Sequence, residues 1–257
     1  MAEGGRDIFT RFYLTFLPAF CYIACMCIPK KMPALARSEC GKTCAHVFPG
    51  SALLERAKRE KWFENENRLY SFNEAMCAGN AEEKIFSEAF VAARARDLKT
   101  TAEEYARTVI SPLGGVPGEP ALALWFGSDM FCQINFITFL AWLEQSGYAG
   151  EVYFCRLEED KDDVAEVFLP VCLRGCDEIY RDVLLLKKTP RLPLFPVTER
   201  GVRLYLGYRK KDSPIRRAIR AHLGEKDLLS RLLSSFPEYG LGDTQYLELI
   251  EEETSRR

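Results

Sequence analysis

Ala121 to Phe126 reads ALALWF, Gly127-Ser128-Asp129 follows, and Met130 to Gln145 reads MFCQINFITFLAWLEQ. A continuous apolar run of six residues, closed by a glycine turn, is the pattern of a strand buried on both faces. The sixteen residues behind it are apolar on most sides, which predicts a buried helix. Glu151 to Cys155, EVYFC, supplies the next strand. The same order occurs earlier in the chain. Thr43 to Phe48 reads as a strand, Pro49-Gly50-Ser51 as its turn, and Leu53, Leu54 and Ala57 fall at helical spacing among charged residues. Arg68 to Phe72 is a second strand. Two strand–turn–helix units, each followed by a strand, predict a parallel, Rossmann-like sheet with helices on both faces.

Between these units, Ala81 to Leu98 is expected as one helix, with Ile85, Ala89, Phe90 and Ala93 on its buried face. Thr101-Ala102-Glu103-Glu104 has the S/T-x-x-E form of a capping box and opens another. Ser111 to Pro120, rich in Gly and Pro, reads as a loop. Beyond Arg156 the pattern weakens. Glu158 to Asp163 is an acidic run, Cys176 to Lys188 is helical, and Thr189 to Val197, with Pro190, Pro193 and Pro196, reads as a linker. Gly201 to Glu252 divides into three or four short helices, one opened by Ser213-Pro214. The chain therefore falls into residues 1–42, an α/β domain over 43–156, and a smaller, mainly helical part over 157–257.

The 257 residues carry a net charge of −2 and are 47% hydrophobic, which excludes disorder and a globally basic nucleic-acid binder. Ten cysteines without a disulfide-like framework fit a reducing cytoplasm. Cys40, Cys44 and His46, completed by Cys172 or Cys176, are the one conceivable zinc set. The plainer reading is small buried thiols such as Cys132 and Cys155, so no metal site is expected and no cofactor is named. Phe12 to Ile28 is apolar, but it is short for a membrane span and contains Pro18. It reads as a membrane anchor, as a signal peptide (against which stand the nearly charge-balanced start and Lys30-Lys31 before Ala34-Leu35-Ala36), or as sequence ahead of a later start at Met26 or Met32. Neither a G-x-G-x-x-G fingerprint nor a P-loop occurs.

Parallel strands deliver their turns to one edge, where open α/β sheets hold ligands. Gly50 and Ser51 stand at a strand-to-helix turn suited to an anion, or form a plain turn with Ser51 as helix cap. Asp129 and, one helical turn on, Gln133 suit a hydroxyl or a base edge, or a cap and a satisfied buried amide. Asn73 and Glu74 end the second strand, and Glu74 with Asp129 would form an acid–base pair. Asn135 and His46 complete the ligand set, although a histidine within a strand is more often a core residue. Arg209, Lys210, Lys211, Arg216, Arg217 and Arg220 suit phosphates or form a solvated helix face.

His46-Val47-Phe48-Pro49-Gly50-Ser51 resembles the opening segment of the bacterial family catalogued as domain of unknown function 1835. Phe72 to Cys77 resembles its second motif, Leu124 to Asn135 its third, and Tyr239 to Gln245 the C-terminal segment found with it. The resemblance covers roughly Thr43 to Glu252. Ser51 stands where that family usually carries Asp. The resemblance implies no established activity. The expectation is a small phosphorylated or nucleotide-like ligand at the sheet edge, bound and perhaps turned over. The alternative is a regulator whose C-terminal helices bind DNA or a protein. The sequence does not fix oligomeric state.

Overall fold

The structure, a computed structural model, describes residues 44–63, 68–157 and 167–256. The apolar run 12–28, Cys40 and the acidic run Glu158–Asp163 lie outside the described residues. Five strands form one sheet: β1 (Ala45–Phe48), β2 (Leu69–Ser71), β3 (Ala121–Gly127), β4 (Glu151–Leu157) and β5 (Val167–Pro170), in the order β2-β1-β3-β4-β5. The first four are parallel, and β5 joins antiparallel, with Phe154 opposite Leu169. The expected α/β fold with a parallel sheet and a helical C-terminal part is present. The antiparallel edge strand is an addition to it.

Helix α1 (Ser51–Arg59) links β1 to β2, and α4 (Met130–Gln145) links β3 to β4. The two connections leave the sheet centre in opposite directions, so right-handed crossovers place them on opposite faces. The alternation of β3 agrees. Ala121, Ala123 and Trp125 pack with Phe48, Leu54 and Ala57 on the α1 face. Leu122, Leu124 and Phe126 pack on the α4 face. That second face carries the larger core, which continues without a break from Val47 and Phe126 to Val202, Tyr208 and Leu249.

Helices α2 (Glu88–Asp97) and α3 (Ala102–Tyr105), with a widened turn at Ala106–Ile110, carry the chain from β2 to β3. Thr101 caps α3 as its sequence predicts, its hydroxyl accepting from the Glu104 amide at 3.1 Å. The helix expected over Ala81–Leu98 begins only at Glu88. Gln145 on α4 takes the Ile85 amide at 2.9 Å, Phe86 turns into the left-handed region at φ 62°, and the Ser87 hydroxyl caps the helix that follows. Ala89, expected inside, is exposed.

The C-terminal part holds α5 (Cys176–Tyr180), α6 (Pro196–Tyr208), α7 (Pro214–His222), α8 (Leu228–Ser235) and α9 (Asp243–Thr254). The stretch Thr189–Val197 is no linker. Phe195 is buried with its ring 5.5 Å from Phe154 and 6.5 Å from Phe136. Gly201 brings α6 onto α4, since a Cβ there would lie 2.6 Å from the Gln133 Cβ. Among the described residues no helix is long and apolar enough to cross a membrane.

Candidate functional site at the carboxyl edge of the sheet

The connections reverse direction between β1 and β3, the point at whose carboxyl edge open α/β sheets hold ligands. Val47 lies opposite Leu124; carried three residues on, this register sets Gly50 level with Gly127. Helix α1 starts at Ser51 with no side-chain cap and no acidic residue in its first turn. Its first amides and the positive end of its dipole are thus open to an anion. A Cβ built on Gly50 meets nothing within 4 Å, so the turn faces free space. The exposed Ser51 hydroxyl donates to Asn73 Oδ1 at 2.8 Å. Asn73 donates in turn to Ser71 Oγ at 3.2 Å and to the Thr108 carbonyl at 2.8 Å. Gly50, Ser51 and Asn73 are therefore brought together.

Asp129 caps α4, its Oδ1 accepting from the Cys132 amide at 2.8 Å. Gly240, at φ 62°, lies so close that a Cβ there would stand 2.1 Å from Asp129 Oδ1. The C-terminal segment thus lies against the half-buried Asp129, and only Oδ2 is left without a hydrogen-bond partner among the described residues. Gln133 is fully buried. It donates to the Gly127 carbonyl and accepts from the Thr198 hydroxyl, both at 2.6 Å. This amide joins β3 to α6 and is not offered to a ligand. Asn135 is equally committed, accepting from the Met76 amide at 2.9 Å and donating to the Glu74 carbonyl.

The expected Glu74–Asp129 acid–base pair is not formed. Glu74 is buried and receives Arg94 twice, Nε on Oε1 at 2.9 Å and Nη2 on Oε2 at 2.7 Å. The Tyr105 hydroxyl on Oε1 and the Ala75 amide on Oε2, each at 2.5 Å, complete its four acceptor positions. A carboxylate so saturated holds structure and has no lone pair for proton transfer. Burial, followed by the neighbouring Glu74 charge, pushes the Tyr105 hydroxyl well above its ordinary range. It therefore stays a donor.

His46 is also a core residue. Its Nδ1 accepts from Trp125 Nε1 at 3.0 Å and its ring stacks on Phe63 at 3.7 Å. Burial, and then the charge of Arg68, lower its pKa to about 3. The ring is neutral, with its proton on Nε2, and that N–H is buried without a partner among the described residues.

The C-terminal basic stretch is partly neutralised. Arg216 binds Glu253 at 2.6 Å and also Glu252, Arg220 binds Glu253 at 3.0 Å, and Arg209 binds Glu252. Lys210 and Lys211 have no carboxylate partner among the described residues, and Arg217 donates to the Asp212 carbonyl at 2.8 Å. No group of three His, Cys, Asp or Glu suited to a metal ion occurs among the described residues. Cys172 is disulfide-bonded, which removes it from the conceived zinc set and corrects the reading of ten thiols. Burial pushes the Cys77 and Cys176 thiols up to about 12.

One residue important to this region escaped the sequence: Arg94, although a charged side chain beside Phe90 and Ala93 on the apolar face of a helix was its signal. Comparisons of the chain with family models, with curated proteins and with solved structures find no match.

Proposed function

We propose that the protein binds a small phosphorylated or nucleotide-like molecule in the crevice between the ends of β1 and β3. One observation carries this reading. The four segments of the sequence resemblance, far apart in the chain, meet around this one edge. Ser51 bonds Asn73, Asn135 bonds the Glu74–Met76 turn, and Gly240 lies on Asp129. The phosphate sits on the open amides at Gly50 and Ser51, with the Ser51 hydroxyl beside it. Asp129 Oδ2 faces a hydroxyl or amino group of the remainder. Any turnover rests on Asp129, since Glu74 is saturated. The DNA-binding alternative is not carried forward, because half of its six basic residues already bind Glu252 or Glu253.

Calorimetric titration with AMP and ribose 5-phosphate tests the reading through two variants. Ser51→Glu places a carboxylate at the anion position and weakens binding at least about tenfold. The same change favours the helix dipole by roughly 0.3–1 kcal/mol, so the melting temperature holds or rises. Asp129→Asn keeps the helix cap and removes the charge, and weakens AMP binding with the fold intact. Affinity unchanged in Ser51→Glu would sink the proposal.

A further inference from the structure

A second cavity lies away from this edge. It encloses about 880 Å³ between the 77–80 turn, the end of α2, the last turns of α6 and the first half of α9. None of Gly50, Ser51, Asn73 or Asp129 lines it. Its volume falls in the range of small-molecule sites.

One wall is cationic and aromatic. The Lys187 ammonium donates to the Tyr205 hydroxyl and stands 4.7 Å from the centre of that ring. The neighbouring arginines each have a carboxylate, Arg209 with Glu252 and Arg94 with Glu74. Lys187 has none among the described residues. Desolvation lowers its pKa, and repulsion from Arg209 and Arg94 adds to this. Its backbone is left-handed at φ 51°, an uncommon conformation for a lysine.

The part of the lining that comes from α9 carries two carboxylates, Glu248 and Glu251. Glu248 is half-buried and also lacks a hydrogen-bond or ion-pair partner among the described residues, while Glu251 lies one turn on at the exposed rim. Asp97, the third carboxylate of the lining, is occupied by the Asn80 amide at 2.6 Å and side chain at 3.0 Å. Lys187 and Glu248 share a cavity without forming an ion pair. A simple anion would satisfy the first and bring a like charge toward the second; a simple cation would do the reverse.

We propose that this cavity is a second ligand site, for a small dipolar organic ion whose anionic group rests on Lys187 and whose ammonium rests on Glu248. The Tyr205 ring covers the apolar part between them. The reading does not depend on the sheet-edge site.

The test is an NMR titration of the full chain, following the amides of Asn80, Lys99, Lys187 and Gln245. Phosphoethanolamine and β-alanine are the dipolar probes, one with a phosphate and one with a carboxylate. Glycerol phosphate and ethanolamine each carry one charge only. At least one dipolar probe shifts these amides at millimolar concentration and binds about tenfold more tightly than either single-charge probe, the gain of one added charge-assisted contact. Lys187→Gln weakens that probe about tenfold, and Lys187→Arg retains it. Glu248→Gln brings it down to the level of the anion-only probe. Ser51→Glu leaves all of this unchanged, which separates the cavity from the sheet edge. Absence of shifts at these amides, equal affinity for dipolar and single-charge probes, or loss of the shifts in Ser51→Glu overturns the proposal.

Discussion

The indole N–H of Trp125 on β3 is bound by the Nδ1 of His46, 3.0 Å away on the neighbouring strand β1. The bond fixes the histidine as a neutral acceptor inside the sheet, and protonation would break it. His46 has a folded pKa of about 3 against an ordinary 6.5. Below pH 6.5 the unfolded chain therefore takes up a proton that the folded chain refuses. Stability is full above pH 6.5 and falls as the pH drops toward 3, by up to about 1.4 kcal/mol per unit from this residue. Urea unfolding at pH 7 and pH 4 measures the fall. His46→Phe, which cannot titrate, shows a smaller difference between the two.

Gly240→Ala is expected to destabilise the fold by about 2–3 kcal/mol. The position has φ 62° and a Cβ would overlap Asp129 Oδ1. Left-handed strain and overpacking each contribute. Denaturant midpoints check this, and an unchanged midpoint would mean that Asp129 and the C-terminal segment separate freely.

Glu74→Gln leaves Arg94 charged and buried with half of its partner removed. Breaking a buried pair in this way costs about 3–5 kcal/mol. The expected result is a large drop in melting temperature. If AMP binding disappeared while stability held, Glu74 would be a ligand group and its structural role would be excluded.

Arg216→Met should loosen α7 from α9, because Arg216 is the shared partner of Glu252 and Glu253. A loss of about 3 kcal/mol is expected. Burial opposes ionisation of Glu253, but Arg216 and Arg220 outweigh it and hold this carboxyl below its ordinary value. The contribution is thus present above about pH 4.5 and lost as the pH falls further. Melting curves of the wild type and Arg216→Met keep their separation from pH 7 to about pH 4.5 and draw together only as the pH falls below it.

The unit from Ala121 to Gln145 was readable because its signals are local: an apolar run, a glycine turn, an aspartate cap and a long apolar helix. Thr101 and Ser213 were readable as caps for the same reason. Strand β5 was not. Four residues, VFLP, carry no period, and their place is set by antiparallel pairing with β4. The late start of α2 depends on Gln145, sixty residues from Ile85. The site residues divide along the same line. Gly50 and Ser51 were found as a strand-to-helix turn, a local feature. Glu74 reads as an acid–base group and Gln133 and Asn135 as ligand groups because a functional contact and an internal contact use the same side chains. Only the partners Arg94, Thr198 and Met76, distant in sequence, tell them apart.

The guanidinium of Arg94 reaches beyond Glu74 to the carbonyls of Ala75, Ala78 and Asn80, at 3.1, 2.7 and 3.1 Å. A turn with no ladder or helix of its own is thereby moulded around one side chain. Its far side is the floor of the 880 Å³ cavity. The shape of that side is thus set during folding. For the dipolar ligand proposed above, association would leave little backbone entropy to be lost, and selectivity would fall to the charges on the walls.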